Sequence, residues 1–567
     1  MDDVDAVQAQ IARNMLTSGD WVTAHIDGLR YLEKPPLVYW LIAASYRVFG
    51  PHDWAARIPT ALSAIALAGL TAAFGIWAFG RRAGFYSGLC IATCVGLFLF
   101  TRILIPDVML TFTIALAMWA LLRTLEPEEP HPRAWSMVLA AGLGVGMLLK
   151  SLIGVAFPVA VGLIYLAFTR QLFSRWAWKR LHPFTGALIA LAIALPWHVL
   201  ATLRNPPYFN FTLHPGPGQY HGFLWFFFFN EQVLRFLNLR YPRDYDTVPR
   251  LWFWLLHLVW LFPWSVYFPA VAKLSFKPMD RASRTRLLAL VWVGFVMIFF
   301  TFSTTQEYYS MPIYPALALL LGSAMATGGD WVLRGTRALA ALTACAAIAA
   351  IAILIHVRGI PTPGDISAAL VPHPGGAKLS LGQIEDLTLD SFAYLRLPLL
   401  VACSAFLVGV LGSIRWTGKH AFLAAALMMV IVFHAARLAM VTFDPFLSSR
   451  TLAGVLQQSP VGTLVAQGHY YEFSSVFFYT NRHGLLSTPY SRRMNLEYGS
   501  NAPGAPKVFI DDAEFVRLWT SPDRAYLLTA NSQLPHYDSL VGASTLQSVA
   551  VSGGKSLLTN HPLTPSP

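Results

Sequence analysis

Twelve apolar runs dominate the chain, at 58–79, 84–100, 106–123, 136–149, 151–168, 186–203, 251–272, 287–302, 309–326, 338–357, 396–414 and 420–441. A run of about twenty such residues, coiled as a helix at 1.5 Å per residue, crosses a hydrocarbon core of roughly 30 Å. Lipid offers the backbone no hydrogen-bond partners, so each run must satisfy its own peptide groups as a helix. The expected fold class is an all-α polytopic membrane protein of about twelve transmembrane helices, followed by a small α/β domain. Composition agrees, with 55% hydrophobic and 12% charged residues among 567 and a mean hydropathy of +0.51. Soluble domains need more charge to cover their surface.

Lys and Arg collect in alternate loops: Arg81/Arg82, Arg123/Arg133, Arg170/Arg175/Lys179/Arg180, Lys273/Lys277/Arg281/Arg284/Arg286, Arg334/Arg337 and Arg415/Lys419. The short loops between them, 101–105 and 303–308, hold only Arg102. The positive-inside rule makes the basic set cytoplasmic, so a net charge of +12 reflects topology and calls for no nucleic acid. The first segment, the 204–250 loop, the 358–395 loop and the tail from 442 then share the outer face. That first segment lacks the charged and apolar regions of a leader. A preceding transmembrane helix, thirteen in all, is therefore expected upstream of the given sequence. Cys90, Cys94, Cys345 and Cys403 all lie in apolar runs with no His or Cys cluster beside them, which speaks against a disulfide or metal role.

Three regions are expected: 1–57 as a first outer loop with interfacial helices and catalytic acids, 58–441 as the transmembrane domain, and 442–567 as an outer α/β domain. In the first, Ala9, Ile11, Ala12, Met15 and Leu16 form a helical stripe that ends near Gly19. Leu37–Phe49, with Tyr39, Trp40, Tyr46, Arg47 and the nearby Trp54, reads as a helix lying in the headgroup layer. In the last region, Val461–Ala466, Lys507–Ile510, Ala525–Thr529 and Gln547–Val551 read as strands. Thr451–Gln457, Phe473–Thr480 and Asp512–Trp519 read as the helices between them.

Charge next to a membrane is costly to keep and marks function. Asp3, Asp5, Glu33 and Lys34, with Asp107, Lys150 and the Glu307-Tyr308-Tyr309 triplet, all fall on the outer side of this topology. Helix ends often carry charge for no catalytic reason, and Lys150 alone could snorkel to the interface. Together, acids and cations at an outer face suit transfer from a lipid-linked sugar. Lys or Arg neutralises the departing phosphate, and a carboxylate takes the proton of the incoming hydroxyl. Direct attack by the acceptor predicts inversion at the sugar carbon.

The pattern IARNMLTSGDWV…YLEKPPLVYWL…FG…WAARIP resembles the opening of the bacterial aminoarabinose transferases that modify lipid A, and is similar to the wider protein O-mannosyltransferase group. These are GT-C glycosyltransferases with polyprenyl-phosphate donors. TRILIPD, LLKSLIG, NEQVLRF–RYPRDYDTVP, LFPWS and STTQEYYSMPIYP look like further landmarks, carrying the likeness from about residue 2 to 330. The resemblance implies an inverting glycosyltransferase of the bacterial inner membrane with its site facing outward. Its partners would be a polyprenyl-phosphate sugar, a glycolipid or protein acceptor, and membrane lipids. It implies Asp3 or Asp5 as base and Asp107 as second acid. Lys34, Arg57, Lys150 and Arg235 would meet the donor phosphate, and Glu33, Glu231, Glu307, Tyr308 and Tyr309 would support the cavity. Glu33 is a candidate metal ligand, and Gln232 stands where relatives often have His, so a divalent metal is permitted and not demanded. A transporter or flippase of lipid-linked sugars is the rival reading, disfavoured by the scarcity of charge at span centres. A catalytically inactive relative is a third.

Overall fold

The computed structural model describes residues 1–242, 247–303, 305–371, 386–489 and 493–563. Residues 243–246 of the RYPRDYDTVP motif and Thr304 of STTQEYYSMP lie outside them. Among the described residues, nine helices are long and apolar enough to cross a membrane: Asp53–Phe79, Asp107–Leu125, Pro132–Lys150, Arg175–Arg204, Arg281–Phe302, Glu307–Thr327, Asp330–Gly359, Arg396–Arg415 and Lys419–Leu447. Arg250–Trp260 and Trp264–Val271, bent by 98° at their junction, make a tenth if counted as one span. The chain is thus a multi-span membrane protein, with membrane helices reaching a few residues beyond 58–441 on both sides.

The count differs from twelve for local reasons. The run at 84–100 is divided into Arg81–Ala92 and Val95–Phe100, and the run at 151–168 becomes a helix of 16 residues, Ile153–Phe168. The break within 251–272 falls at Pro263, which has no N–H to continue a helix.

Contacts between the loops gather at two places on the bundle. At one, Arg281 and Arg284 reach Glu126 at 3.6 and 3.5 Å, and Arg123 pairs with Glu129. The other gathers the first segment, the start of the 204–250 loop and the tail. There α1 (Asp3–Ser18) is capped by Asp2, whose carboxylate accepts the Asp5 N–H at 2.8 Å, and ends at Gly19 with φ 72°. Its apolar stripe, Ala9, Ile11, Ala12 and Met15, is buried. Strands β1 (Ala24–Ile26) and β2 (Leu29–Tyr31) form a hairpin whose turn, Asp27-Gly28, has φ of 48° and 79°, the doubly positive geometry of a tight two-residue loop. Helix α2 (Leu37–Phe49) follows. Its Tyr39 and Tyr46 are buried, and Tyr39 donates to Gln8 at 2.8 Å, while Leu41, Val48 and Phe49 face outward.

The tail holds a six-stranded sheet. In chain order its strands are β3 (Thr463–Gln467), β4 (Leu485–Ser487), β5 (Phe509–Ile510), β6 (Ala525–Ala530), β7 (Gln547–Ser552) and β8 (Lys555–Thr559). Their spatial order is β5-β4-β3-β6-β8-β7, parallel through β6 and antiparallel beyond it. The expected helices appear as Arg450–Gln458, Ser474–Thr480 and Asp512–Trp519. Strands β4 and β8 are additions to the sequence reading. The tail docks on the first segment through Asp3–Lys555 at 2.5 Å and Asp27–His483 at 2.9 Å, and on the 204–250 loop through Tyr498 to Gly222 O at 2.9 Å.

Candidate active site

A cleft of about 970 Å³, open mouth included, lies between the segment that leads into α2 and the membrane helices. Five structural devices furnish its polar wall. Glu33-Lys34-Pro35 forms the turn between β2 and α2. Asp107 opens the helix Asp107–Leu125 behind Pro106, where a carboxylate meets the positive end of the helix dipole. Lys150 ends Pro132–Lys150, and Ser151, at φ 56°, turns the chain back into Ile153–Phe168. That return is tight because Gly146 and Gly154 face each other, a Cβ on Gly146 meeting the Gly154 backbone at 3.0 Å. A π-helical turn, Trp225–Leu234, directs Glu231 inward, with Arg235 at its end. A 3₁₀ turn, Glu307–Ile313, presents Tyr308 and Tyr309.

These groups interlock. Lys150 Nζ lies 2.5 Å from Asp107 Oδ1 and sits over the rings of Tyr309 and Tyr308, at 4.7 and 5.3 Å from their centres. Arg235 donates to Glu231 at 2.8 Å and to the Tyr309 hydroxyl at 2.9 Å. Arg240, its side chain wholly buried, donates to Glu231 through Nε and to Glu33 Oε1 at 3.0 Å. Tyr31 donates to the other Glu33 oxygen at 3.0 Å. Burial alone would raise the Glu231 pKa, but Arg240, Arg235 and Lys34 outweigh it and hold the carboxyl below its ordinary range. Lys34 lines the cleft and, among the described residues, enters no ion pair or hydrogen bond. Among the described residues, four cations thus meet three carboxylates, with one ammonium left over for an anion.

The cleft brings together Glu33, Lys34, Asp107, Lys150, Glu231, Arg235, Tyr308 and Tyr309. It does not bring in Asp3, Asp5, Arg57 or Glu307. Asp3 and Asp5 are two apart on a helix, so their side chains diverge by roughly 200°. Asp3 faces the tail, where it meets Lys555 and accepts the Ser475 N–H at 2.9 Å. Asp5 accepts the Leu104 N–H at 2.8 Å and pairs with Arg57 at 2.5 Å, while Arg57 also donates to Arg102 O. Burial raises the Asp5 pKa despite Arg57, and burial together with Asp5 pushes Asp2 up to about 7. This pair grips residues 102–104, just ahead of Ile105-Pro106-Asp107 in the cleft wall. Glu307 is buried beside its own turn, where its carbonyl accepts from Ser310 at 3.3 Å.

Sequence reasoning missed Arg240, Tyr31 and, behind Tyr31, Tyr471 of the tail at 3.2 Å. For Arg240 the available signal is a charge balance: two glutamates expected to be buried need a shared cation. No group of three or more His, Cys, Asp or Glu among the described residues is arranged to hold a metal. Glu33, the candidate ligand, and Glu231 are instead engaged with Arg240.

A family model described as dolichyl-phosphate-mannose-protein mannosyltransferase matches residues 33–199. Among curated relatives, an undecaprenyl phosphate-α-4-amino-4-deoxy-L-arabinose arabinosyl transferase of Aeromonas salmonicida is 27% identical over 67% of this chain and 68% of its own length. A transferase of the same name from Pseudomonas aeruginosa is 30% identical over 58% of this chain and 56% of its own. The chain therefore spans little more than half the length of several curated relatives it matches. The crystal structure of ArnT from Cupriavidus metallidurans bound to undecaprenyl phosphate superposes with a TM-score of 0.78 at 23% identity, covering 98% of this chain and 93% of that one. Its apo form gives 0.74 at 22%, covering 99% and 93%. The likeness read from the motifs is met again in both sequence and fold.

Proposed function

The chain has the fold of the GT-C membrane glycosyltransferases, the aminoarabinose transferase ArnT among them, and on that premise we propose that it is an inverting glycosyltransferase of the bacterial inner membrane. It moves a sugar from undecaprenyl phosphate to a glycolipid of the lipid A kind at the outer face, with 1–57 and 442–567 outside. The relatives' names point to 4-amino-4-deoxy-L-arabinose, a pentose, as the sugar. The observation that carries this reading is Lys34: an ammonium that enters no ion pair among the described residues and lines the same cleft as the Asp107–Lys150 and Glu231–Arg235 pairs.

In this scheme the donor phosphate docks against Lys34, with Lys150 and Arg235 within reach. The acceptor hydroxyl attacks the sugar carbon and gives its proton to a carboxylate. The new carbon–oxygen bond forms as the carbon–phosphate-oxygen bond breaks. The bond's electrons stay on the phosphate, where the cations stabilise them. Of the acids expected to do chemistry, we assign the base to Asp107, the one in the cleft wall. Asp5 and Arg57 act on it through residues 102–104, and Asp3 secures the tail. Tyr308 and Tyr309 fix Lys150. Glu33 and Glu231 hold Arg240 and Arg235 in place.

The test is transfer by purified protein from a panel of undecaprenyl-phosphate pentoses and hexoses, with lipid A and a serine/threonine peptide as rival acceptors. Transfer of the aminopentose to lipid A with inverted stereochemistry is expected. Lys34→Met should lower it by about 100- to 1,000-fold, the usual cost of losing one charge-stabilising donor, with yield and melting temperature unchanged. Absence of transfer from every donor, or full activity in Lys34→Met, overturns the reading.

A further inference from the structure

A line of hydrogen bonds runs from the wall of the cleft into the tail. Tyr471 lies in the turn Tyr470–Glu472 that follows β3, and its hydroxyl is 3.2 Å from that of Tyr31. Tyr31 is 3.0 Å from Glu33 Oε2, Glu33 Oε1 is 3.0 Å from Arg240, and Arg240 continues to Glu231. From there Arg235 and the Tyr309 hydroxyl complete the path. The direction of the protons follows from the chemistry of the end group. A carboxylate only accepts, so Tyr31 must spend its one proton on Glu33. The bond between the two tyrosines must then be donated by Tyr471. A hydroxyl that accepts one bond donates its own more strongly, so Tyr471 strengthens the hold of Tyr31 on Glu33.

We propose that Tyr471 is a positioning residue for the lipid-phosphate site, acting through Tyr31 and Glu33 on the buried Arg240. The inference rests on the function proposed above and extends it: the tail is part of the donor site. Docking of the tail does not depend on this hydroxyl, because Asp3–Lys555, Asp27–His483 and the Tyr498 hydroxyl, which donates to Gly222 O at 2.9 Å and accepts the His221 N–H at 3.0 Å, hold it elsewhere. Removing the Tyr471 hydroxyl leaves a tail that is docked and a Glu33 held by one tyrosine bond of reduced strength. Arg240 can then drift, and the pocket for the phosphate loosens before any reacting bond is affected. The expected signature is weaker donor binding with an unaltered chemical step.

Full-length protein in lipid nanodiscs tests this with Tyr471→Phe, Tyr31→Phe, the double variant and Tyr498→Phe. Each is measured for undecaprenyl phosphate binding, for donor KM and kcat, and for melting temperature. Tyr471→Phe should raise both Kd and KM about fivefold, the size of one lost hydrogen bond, with kcat and melting temperature close to the unmodified protein. Tyr31→Phe should lose at least as much, and the double variant no more than Tyr31→Phe, because one effect passes through the other residue. Tyr498→Phe removes a docking hydrogen bond that does not reach Glu33, so it should lower the melting temperature and leave Kd in place. Unchanged Kd in Tyr471→Phe, additive losses in the double variant, or an equal rise in Kd from Tyr498→Phe overturns the inference. Unmodified protein that neither binds undecaprenyl phosphate nor transfers sugar overturns the function itself, an outcome distinct from an active enzyme indifferent to Tyr471.

Discussion

Arg240 serves two carboxylates from a fully buried position, and that makes it the most exposed point in the site's energetics. Replacing it leaves Glu33 and Glu231 facing each other without their shared cation, and breaking a buried ion pair typically costs about 3–5 kcal/mol. Arg240→Met should therefore lose stability on that scale, read as a fall in melting temperature and in yield of folded protein. Arg240→Lys should recover only part, since a single ammonium cannot span two acids as the planar guanidinium does. Full stability in Arg240→Met would mean the acids are protonated or hydrated. The contrast with Lys34 shows what a sequence can reveal at this scale. Lys34, Glu33, Glu231 and Arg235 sit in the motifs that carry the family resemblance, whereas an arginine in a polar loop looks like any solvated charge until the fold buries it. Asp3 and Asp5 illustrate the opposite case: their acidity is plain in the sequence, but the helical phase that sends one to the tail and the other to residues 102–104 depends on where α1 begins.

Among the elements, the hairpin of Pro132–Lys150 and Ile153–Phe168 decides where Lys150 stands. Its helices touch at Gly146 and Gly154, and a Cβ at Gly154 would lie 2.2 Å from the Gly146 carbonyl carbon, deep inside van der Waals contact with backbone that cannot swing aside as a side chain can. Gly154→Val should separate the helices at a cost of about 1–3 kcal/mol or more and draw Lys150 away from Asp107. The expected result is a lower melting temperature with a transfer rate reduced at least about tenfold, measured at a temperature where the variant remains folded. An unaffected rate would show that Lys150 does not need this register. Hydropathy located the two helices, as it did most spans, because lipid exposure demands long apolar runs. It missed the interruptions after Ala92 and at Pro263, since averaging over a run conceals the neighbours that permit a bend. In the tail, three-residue β4 is too short for any periodicity to register. The hairpin β7–β8 did carry a signal, the Gly553-Gly554 pair between two apolar segments, which sequence reasoning left unread.

For the molecule as a whole, the question is how firmly the tail is seated, and one of its contacts depends on a histidine. Asp27, at the tip of the β1–β2 hairpin, accepts from His483 Nδ1 at 2.9 Å and from the Gly484 N–H at 3.2 Å. The hydrogen bond to Asp27 raises the His483 pKa above its ordinary value, against a smaller opposing effect of burial. A histidine whose pKa is raised by docking binds its proton more tightly in the docked state. Its contribution is complete below the undocked value of about 6.5 and disappears as pH rises through the docked value. The tail should accordingly open more often in alkali. Hydrogen exchange or limited proteolysis at the hairpin and at residues 481–484 should increase as pH rises above the ordinary histidine value of about 6.5, modestly, because the His483 side chain is three-quarters exposed and screened by solvent. His483→Ala should already be as open in weak acid as the unmodified protein becomes in alkali, with little further change. Protection that rises with pH, or that keeps the same pH dependence in His483→Ala, would assign the docking of the tail to the Asp3–Lys555 pair and the Tyr498 contacts and leave this histidine without a part in it.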